Sequence, residues 1–365
     1  MKFEILDAVL PRERTDWLNE WQGGTREPFS HPDYVELFCA PGDRAMCATA
    51  RTSDGSSVIY AFIVRPVESP DGDVYRDIVS PYGYGGAYVR GTLSELQKVE
   101  FWSRFERWLS NTGIVSQFVR LDVDLERLLP HPGEVRTSAF NIVRTLDIAP
   151  DELWTDFEKK VRKNYKKAER SGVNVIEDPR GRHLADFLRI YEGTMDRRNA
   201  GEQYYFDETF FKSLISNLPE NVVFFHAVLG GAIVSTELVL TSSDRLFSFL
   251  GGTDSAAFDY RPNDALKVGI MRWGIENGFR SFVLGGGARP GDGIERYKRS
   301  FAPSGAVPFW TGRITHNKEA YAELVAQRMN DFVAANVEWK ESTYYPAYRT
   351  PLPERPAEDN NKDIE

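Results

Sequence analysis

The sequence predicts an α/β protein in which one strand, helix and strand arrangement occurs twice around a mixed sheet. The chain has 365 residues, and because hydrophobic cores usually divide beyond roughly 250 residues, two domains are expected. Hydrophobic residues make up 41% and charged residues 27%, which is the balance of a folded chain with a sizeable core. Strand-like runs that lead through an amphipathic helix into another strand occur in both halves, so the pattern favours a duplicated unit.

The first half shows this order weakly. Its predicted elements are two helices, two strands, a glycine-dense loop, a long amphipathic helix and a final strand. They occupy, in that order, residues 11–21, 30–38, 57–64, 74–79, 81–86, 93–109 and 118–121.

The second half shows the same order more clearly, after a helix predicted over 151–170. Gly230-Gly231 joins two strand-like runs, and both glycines tolerate the positive φ of a tight hairpin turn. Pro262 and neighbouring capping residues predict the start of a later helix, which ends at Gly278. The predicted strands of this half occupy 221–229, 232–240, 245–250 and 279–284.

Four segments are expected on this basis. A first domain covers 1–148, and a second domain over 149–315 carries most of the candidate site residues. Residues 316–350 are expected to return to the first domain. The proline-rich, polar stretch 351–365 buries too little apolar surface to order itself and is expected to be disordered.

Composition excludes several classes of protein. The net charge of -9 opposes a broadly basic nucleic-acid-binding surface, although a local basic patch can still hold an anion. Cys39 and Cys47 are the only cysteines, and with five scattered histidines they form neither a disulfide framework nor a metal-ligand cluster. The N-terminus lacks the pattern of a signal peptide, and no apolar run reaches membrane-spanning length. A metal-free cytoplasmic protein is therefore expected.

Four stretches of the second half together resemble the FemAB family. They are VRKNYKKA at 161–168, YEGTMDRR at 191–198 with Tyr204 after it, RPNDAL at 261–266, and LGGG at 284–287 followed by ERYKRSF at 295–301. Members of that family have paired acetyltransferase-like (GNAT) folds and move aminoacyl groups from charged tRNA onto peptidoglycan precursors. The resemblance, from about residue 150 to 310, implies tandem GNAT-like domains, no bound cofactor and aminoacyl-tRNA as co-substrate. The SHPDYVELF segment at 30–38 departs from the cell-wall members, and the long helical arm that some of them carry has no counterpart here.

Lys298, preceded by Tyr297, is the candidate catalytic residue. Acyl transfer passes through a tetrahedral oxyanion, and a fixed cation aimed at that oxygen contributes about 3 kcal/mol. In the enzymes that this chain resembles, the lysine of the aromatic-lysine pair has that role. Without the flanking motif, a surface lysine is the simpler interpretation.

Five further residues are candidate substrate contacts: Arg197, Arg198, Tyr204, Glu237 and Asn263. Arginine forks and tyrosine hydroxyls suit a phosphate or carboxylate, and the resemblance places Arg198 and Tyr204 on the acceptor side. Glu237 lies within a predicted strand, where a carboxylate is costly unless paired. It is therefore either the partner of an arginine or a substrate-binding group.

Six basic residues are candidate contacts to donor phosphates, whether of tRNA or of a coenzyme. They are Arg162, Lys163, Lys166, Lys167, Arg296 and Arg299. A solvated helix face is the alternative interpretation, but a concentration of positive charge is uneven in so acidic a chain.

Three functions remain open at this point. The first is transfer of an aminoacyl group from aminoacyl-tRNA to an amine or hydroxyl of a small acceptor, the second is acyl-coenzyme A N-acyltransfer, and the third is a non-catalytic binding protein. Coenzyme A users present backbone amides to pyrophosphate before the helix, whereas here Pro262 lacks an amide hydrogen and Asp264 is acidic. This disfavours coenzyme A. The joint presence of Arg198, Tyr204, Asn263 and Lys298 argues against a non-catalytic protein.

Overall fold

A computed structural model describes residues 1–68, 74–287, 289–340 and 344–353. In these ranges the chain forms thirteen strands and ten α-helices. The strands are β1 (Lys2–Asp7), β2 (Arg44–Arg51), β3 (Ser57–Glu68), β4 (Val74–Val79), β5 (Tyr88–Arg90), β6 (Ile114–Arg120), β7 (Glu134–Thr145), β8 (Asn174–Asp178), β9 (Val222–Leu229), β10 (Ala232–Thr241), β11 (Arg245–Thr253), β12 (Ser281–Gly285) and β13 (Ala306–Thr315). The helices are α1 (Pro11–Gln22), α2 (Pro32–Glu36), α3 (Glu95–Ser110), α4 (Pro150–Asp156), α5 (Lys159–Arg170), α6 (Leu184–Arg198), α7 (Glu208–Asn217), α8 (Pro262–Glu276), α9 (Gly293–Arg299) and α10 (Lys318–Ala334).

The strands form one mixed sheet in which the two halves of the chain contribute equivalent series of strands, each running from one edge of the sheet to its centre. The order is β1-β2-β3-β4-β6-β13-β7-β12-β11-β10-β9-β8, with β5 paired to β3 off this path. In each half four antiparallel strands lead to one parallel pair, β4 with β6 and β11 with β12. Two helices follow the first strand of each half, and one long helix connects the strands of each parallel pair. The predicted α/β fold with a tandem repeat is confirmed.

Each half supplies the last strand of the other half's sheet. The second-half strand β13 pairs with β6, where Thr311 lies opposite Arg120. The first-half strand β7 pairs with β12, where Val143 lies opposite Val283. Since β7 and β13 also pair with each other, the two repeats are joined through exchanged strands at the centre of the sheet.

Local sequence explains many of the element boundaries. Ser94 and Gln97 form a capping box at the start of α3, which satisfies amide hydrogens that have no partner within the helix. Gly230 and Gly231 have φ values of 59° and 84°, so the predicted hairpin between β9 and β10 is present.

The prediction of a single helix over 151–170 is wrong in one respect, because the structure has two helices there. Phe157 is extended, with ψ 145°, and separates α4 from α5. Its side chain is buried 5.9 Å from the ring of Phe301, and the amide of Glu158 donates to the carbonyl of Ser300 at 3.0 Å. Packing against the end of α9 therefore interrupts a stretch whose spacing suits a helix.

Apolar cores lie on both faces of the sheet. On one face, α8 packs with α4, α5 and α9 around Leu266, Met271 and Phe301. On the other face, α6 and α7 pack around Phe187 and Phe211 in a core that residues of the first half, including Phe29, Tyr34 and Tyr84, help to form.

A buried ion network also joins the halves. Arg245 of β11 donates to both carboxylate oxygens of Asp122, at 2.6 and 2.8 Å, and lies 2.6 Å from a carboxylate oxygen of Glu27. Tyr88 donates to Asp122 at 2.8 Å. Burial raises the pKa of Glu27 to about 7, against the opposing charge of Arg245. This network therefore ties the start of β11 to two buried carboxyl groups of the first half.

The C-terminal segment lies against the first half. Ala320 and Leu324 of α10 pack with Val115 of β6, and the hydroxyl of Tyr348 lies 2.7 Å from that of Ser116. The limits of the four predicted segments stay predictions, and most of the stretch 351–365 falls outside the described residues. Among the helices that are described, none combines the length and apolar character needed to cross a membrane.

Candidate active site

The parallel strands β11 and β12 separate at their carboxyl ends and leave an opening in the sheet. They pair only from Arg245 opposite Ser281 to Phe247 opposite Val283. Beyond that point β11 continues beside β10, and β12 bulges before Gly285 and continues beside β7. Carboxyl ends of parallel strands are a common position for ligands in α/β sheets.

Lys298 lies at this opening. Asp292 caps α9 by accepting the Glu295 amide at 2.8 Å, and the helix directs Lys298 back toward β12. The Lys298 ammonium donates to the carbonyl of Gly286 at 2.7 Å. Gly285 has φ 76°, and a Cβ at that position would lie 3.3 Å from Nζ, so glycine keeps the approach to the lysine open.

The surroundings of the Lys298 side chain favour loss of its ammonium proton. Burial lowers the pKa of Lys298 to about 8, and the charge of Lys267 adds to this effect. The carboxylates of Glu237 and Asp292 oppose it. Lys298 is therefore still mainly an ammonium at neutral pH, in a partly buried site where a charge acts more strongly than in bulk water.

Glu237 and Lys267 form a buried ion pair beside this opening. Lys267 also donates to the hydroxyl of Ser248 at 3.0 Å and lies 5.4 Å from the ring centre of Phe282. The sequence suggested an arginine as the partner of Glu237, but the structure gives a lysine. Lys267 itself was not predicted, and its only signal was a charged residue inside the apolar run of α8.

Tyr297 places a buried hydroxyl near the same groups. Among the described residues this hydroxyl has no hydrogen-bond partner, and the ring packs 5.1 Å from that of Phe301. Burial raises the pKa of Tyr297 well above its ordinary value, and the charges of Asp264 and Glu237 add to this. The hydroxyl therefore stays protonated and can serve as a donor.

The first turn of α8 is acidic and buried. Arg261, with φ 59°, leads into Pro262, which offers no amide hydrogen. The carboxyl of Asp264 is buried and accepts from the side-chain amide of Asn164 on α5 at 3.0 Å. Asn263 is half-buried, and its side chain forms no hydrogen bond within the described part of the chain.

The predicted donor-side cations divide into two groups. Lys163, Lys166 and Lys167 are exposed on α5, and the first two line a cleft of about 600 Å³. The other three donate within the protein: Arg162 to the carbonyl of Thr155 at 2.8 Å, Arg296 to that of Gly291, and Arg299 to the carboxylate of Glu295 at 2.7 Å. Because the amide of Glu158, just before α5, donates to the carbonyl of Ser300, just after α9, the structure brings the exposed lysines to the side of the sheet that holds Lys298.

The predicted acceptor-side residues lie on the opposite face. Arg197 donates to the carbonyl of Thr253 at 3.3 Å and lies 5.1 Å from the ring centre of Phe258, so it is held against the end of β11. Arg198 is exposed, and Tyr204 is 39% exposed with its carbonyl accepting from Tyr191. The opening between β11 and β12 thus lies between this set and Lys298.

The fold and this opening define the class of the protein. Residues 155–299 match the acetyltransferase (GNAT) domain family, so the protein is an acyltransferase of the GNAT fold. The comparison with curated protein sequences gives no match.

Two solved structures share the architecture over most of the chain. The crystal structure of FemX superposes with a TM-score of 0.60 at 13% identity, over 80% of this chain and 92% of that one. L-PGS from Bacillus licheniformis superposes with a TM-score of 0.53 at 14% identity, over 89% of this chain and 98% of that one. At these identities the likeness concerns the fold, and the FemAB-like fold is confirmed.

Proposed function

We propose that the protein transfers an aminoacyl group from aminoacyl-tRNA to an amine or hydroxyl of a small acceptor. The observation that carries this proposal is the start of α8, where a coenzyme A pyrophosphate would need amide hydrogens and meets Pro262 and the buried Asp264 instead. Exposed cations lie on the neighbouring helix α5, as an extended polyanion requires. The resemblance to FemAB enzymes supports the same donor, which also implies a cytoplasmic location.

In the proposed reaction the acceptor attacks the carbonyl carbon of the aminoacyl ester. The carbonyl oxygen becomes an oxyanion, which the Lys298 ammonium stabilises, with the Tyr297 hydroxyl close by. The carbon–oxygen bond to the ribose then breaks. The proton lost by the acceptor ends on the ribose hydroxyl that leaves, so no cofactor is consumed.

A donor test separates the two acyl sources. The protein is incubated with a pool of charged tRNAs or with acetyl-coenzyme A, and deacylation is followed in each case. We expect accelerated deacylation of tRNA only, slowed about a hundredfold in Lys298→Met. Turnover of acetyl-coenzyme A with tRNA left intact would overturn the proposal and favour an N-acyltransferase.

Charge reversal on α5 tests the predicted tRNA surface. Replacing Lys163, Lys166 and Lys167 by glutamate should weaken donor binding and lower the slope of log affinity against log salt by about one for each phosphate that is no longer bound. Binding is measured by titration at several salt concentrations. A matched triple reversal at the exposed Lys2, Lys212 and Lys318 should change the slope far less. Equal slopes in both triple variants would show that α5 is only a solvated face.

The pH dependence of transfer tests the charge state of Lys298. Its pKa is about 8 in the fold, and oxyanion stabilisation needs the ammonium, so the rate should be constant below that value and fall as pH rises through it. Single-turnover rates corrected for spontaneous ester hydrolysis measure this. A rate that rose through the same range would instead indicate that the neutral amine acts as a base.

A further inference from the structure

Arg120, at the end of β6, carries a positive charge for which the described residues supply no anionic partner. Within those ranges its guanidinium donates no hydrogen bond and forms no ion pair, and it lies 5.3 Å from the ring centre of Phe118. The nearby Arg65 adds a second positive charge and is itself paired with Asp77 at 2.8 Å. Burial lowers the pKa of Arg120, which expresses the cost of holding this charge in the protein without a counter-charge.

Arg120 lies in the first half at a place equivalent to that of the candidate active site in the second half. The parallel strands β4 and β6 pair as far as Val79 opposite Phe118, and the Ser80 amide still donates to the Phe118 carbonyl at 3.0 Å. The next bridge is at Gly85, opposite Leu121 just after β6. The first half therefore has its own opening at the carboxyl ends of a parallel pair. The intervening loop enters this opening, where the Ser80 hydroxyl accepts the Arg120 amide at 3.0 Å.

Tyrosines from both halves lie near the guanidinium. The hydroxyls of Tyr82, Tyr204 and Tyr344 are close enough to interact with its charge. Tyr82 belongs to the loop after β4, whereas Tyr204 follows α6, so the group combines residues of both halves. These three residues are 37%, 39% and 47% exposed, so solvent reaches each of them.

Packing holds Tyr82 in place. The ring of Tyr82 stacks 5.7 Å from Phe38 and meets Phe249 of β11 at 5.8 Å. Its backbone carbonyl accepts from the Tyr34 hydroxyl at 2.9 Å. A cation with tyrosine hydroxyls nearby suits a carboxylate or a phosphate, because both oxyanions accept several hydrogen bonds from a planar guanidinium.

We propose that Arg120 and the nearby tyrosines form a binding site for an anionic group, a carboxylate or a phosphate, of the acceptor molecule. The assignment to the acceptor rests on the proposed function, whereas the binding of an anion does not. The site lies on the face that carries Arg198 and Tyr204, opposite the exposed lysines of α5. Donor and acceptor would thus approach the sheet from opposite faces.

Anion binding is tested on the full chain with inorganic phosphate and, separately, with acetate, at constant ionic strength. Both are titrated while the melting temperature is followed, since a ligand that binds only the folded state raises it with concentration. We expect the parent to be stabilised by at least one of the two. In Arg120→Gln the affinity should fall at least tenfold, and Arg120→Lys should keep part of it.

Arg136→Gln is the matched control, because Arg136 lies two strands away on β7, is exposed and is already paired with Glu134 at 2.7 Å. It should bind the anion as the parent does. Equal stabilisation of the parent and of Arg120→Gln would overturn the proposal. So would a large loss of stability of Arg120→Gln without added anion, because the guanidinium would then have a partner inside the protein.

The two proposals fail in different ways. If neither variant of Arg120 alters anion binding while charged tRNA is still deacylated, this site is wrong and the proposed function stands. If the anion effect depends on Arg120 but acetyl-coenzyme A is the donor, the anion site stands and the proposed function is wrong. Preference for phosphate over acetate, or the reverse, then identifies the anionic group.

Discussion

Lys298→Met should lower the rate of aminoacyl transfer at saturating donor by about two orders of magnitude, while the dissociation constant of the donor hardly changes. The charge on the carbonyl oxygen develops only in the transition state, so an ammonium placed for it contributes to the rate and little to ground-state binding. A loss of about 3 kcal/mol corresponds to that factor. Methionine keeps an unbranched apolar stem, so the packing around α9 is largely retained.

Single-turnover transfer and equilibrium binding of the donor are measured on the same preparation. Lys212→Met serves as the control, because Lys212 is an exposed lysine of α7, paired with Glu208 at 3.0 Å. It should turn over like the parent. If Lys298→Met reacted at the parent rate, or if only its affinity for the donor were weaker while the rate was unchanged, the residue would be a binding or surface lysine.

The second large effect concerns stability. Arg245→Met should reduce the free energy of unfolding by about 3–5 kcal/mol, because it removes the cation closest to the buried carboxyl groups of Glu27 and Asp122 and leaves Glu27 only the more distant Arg127, at 3.5 Å. Urea denaturation measures this. Arg280→Met is the matched control, since Arg280 is exposed and its nearest carboxylate oxygen, on Asp147, is 3.8 Å away. Its effect should stay within about 0.5 kcal/mol.

The origin of such a loss can be checked by further substitution. Adding Glu27→Gln and Asp122→Asn to Arg245→Met removes the uncompensated carboxylates and should recover part of the stability. If Glu27→Gln and Asp122→Asn instead lowered the stability of Arg245→Met by the sum of their own separate effects, the three residues would not act as one network.

Much of the fold was predictable because its signals are local. The Gly230-Gly231 hairpin, the proline at the start of α8 and the basic surface of α5 are each contained in a few consecutive residues. The break at Phe157 was not predictable, since it depends on packing against Phe301, which is distant in sequence. The exchange of β7 and β13 was likewise not predictable. It depends on pairing between strands distant in sequence, which local periodicity does not reveal.

The residues of the site likewise divide into those that a local motif predicts and those that only the structure reveals. Lys298 and Tyr297 were found through a motif, but their roles stay predictions until the variants are assayed. Lys267, Arg120 and Arg245 were missed because each is defined by what surrounds it in space. Lys267 is one lysine in an apolar helix, and only the structure shows that its partner is Glu237.

The exchanged strands at the centre of the sheet make the chain equivalent to a domain-swapped dimer whose two copies have been fused. A chain cut between the repeats would expose an unpaired edge at β6 or β12, where the missing strand belongs to the other piece. Each piece should therefore need the other in order to fold. In a symmetric dimer of this kind both openings would be identical, since every contact occurs twice. Fusion removes that constraint, so that one opening can keep a lysine for chemistry while the other carries an arginine and a loop.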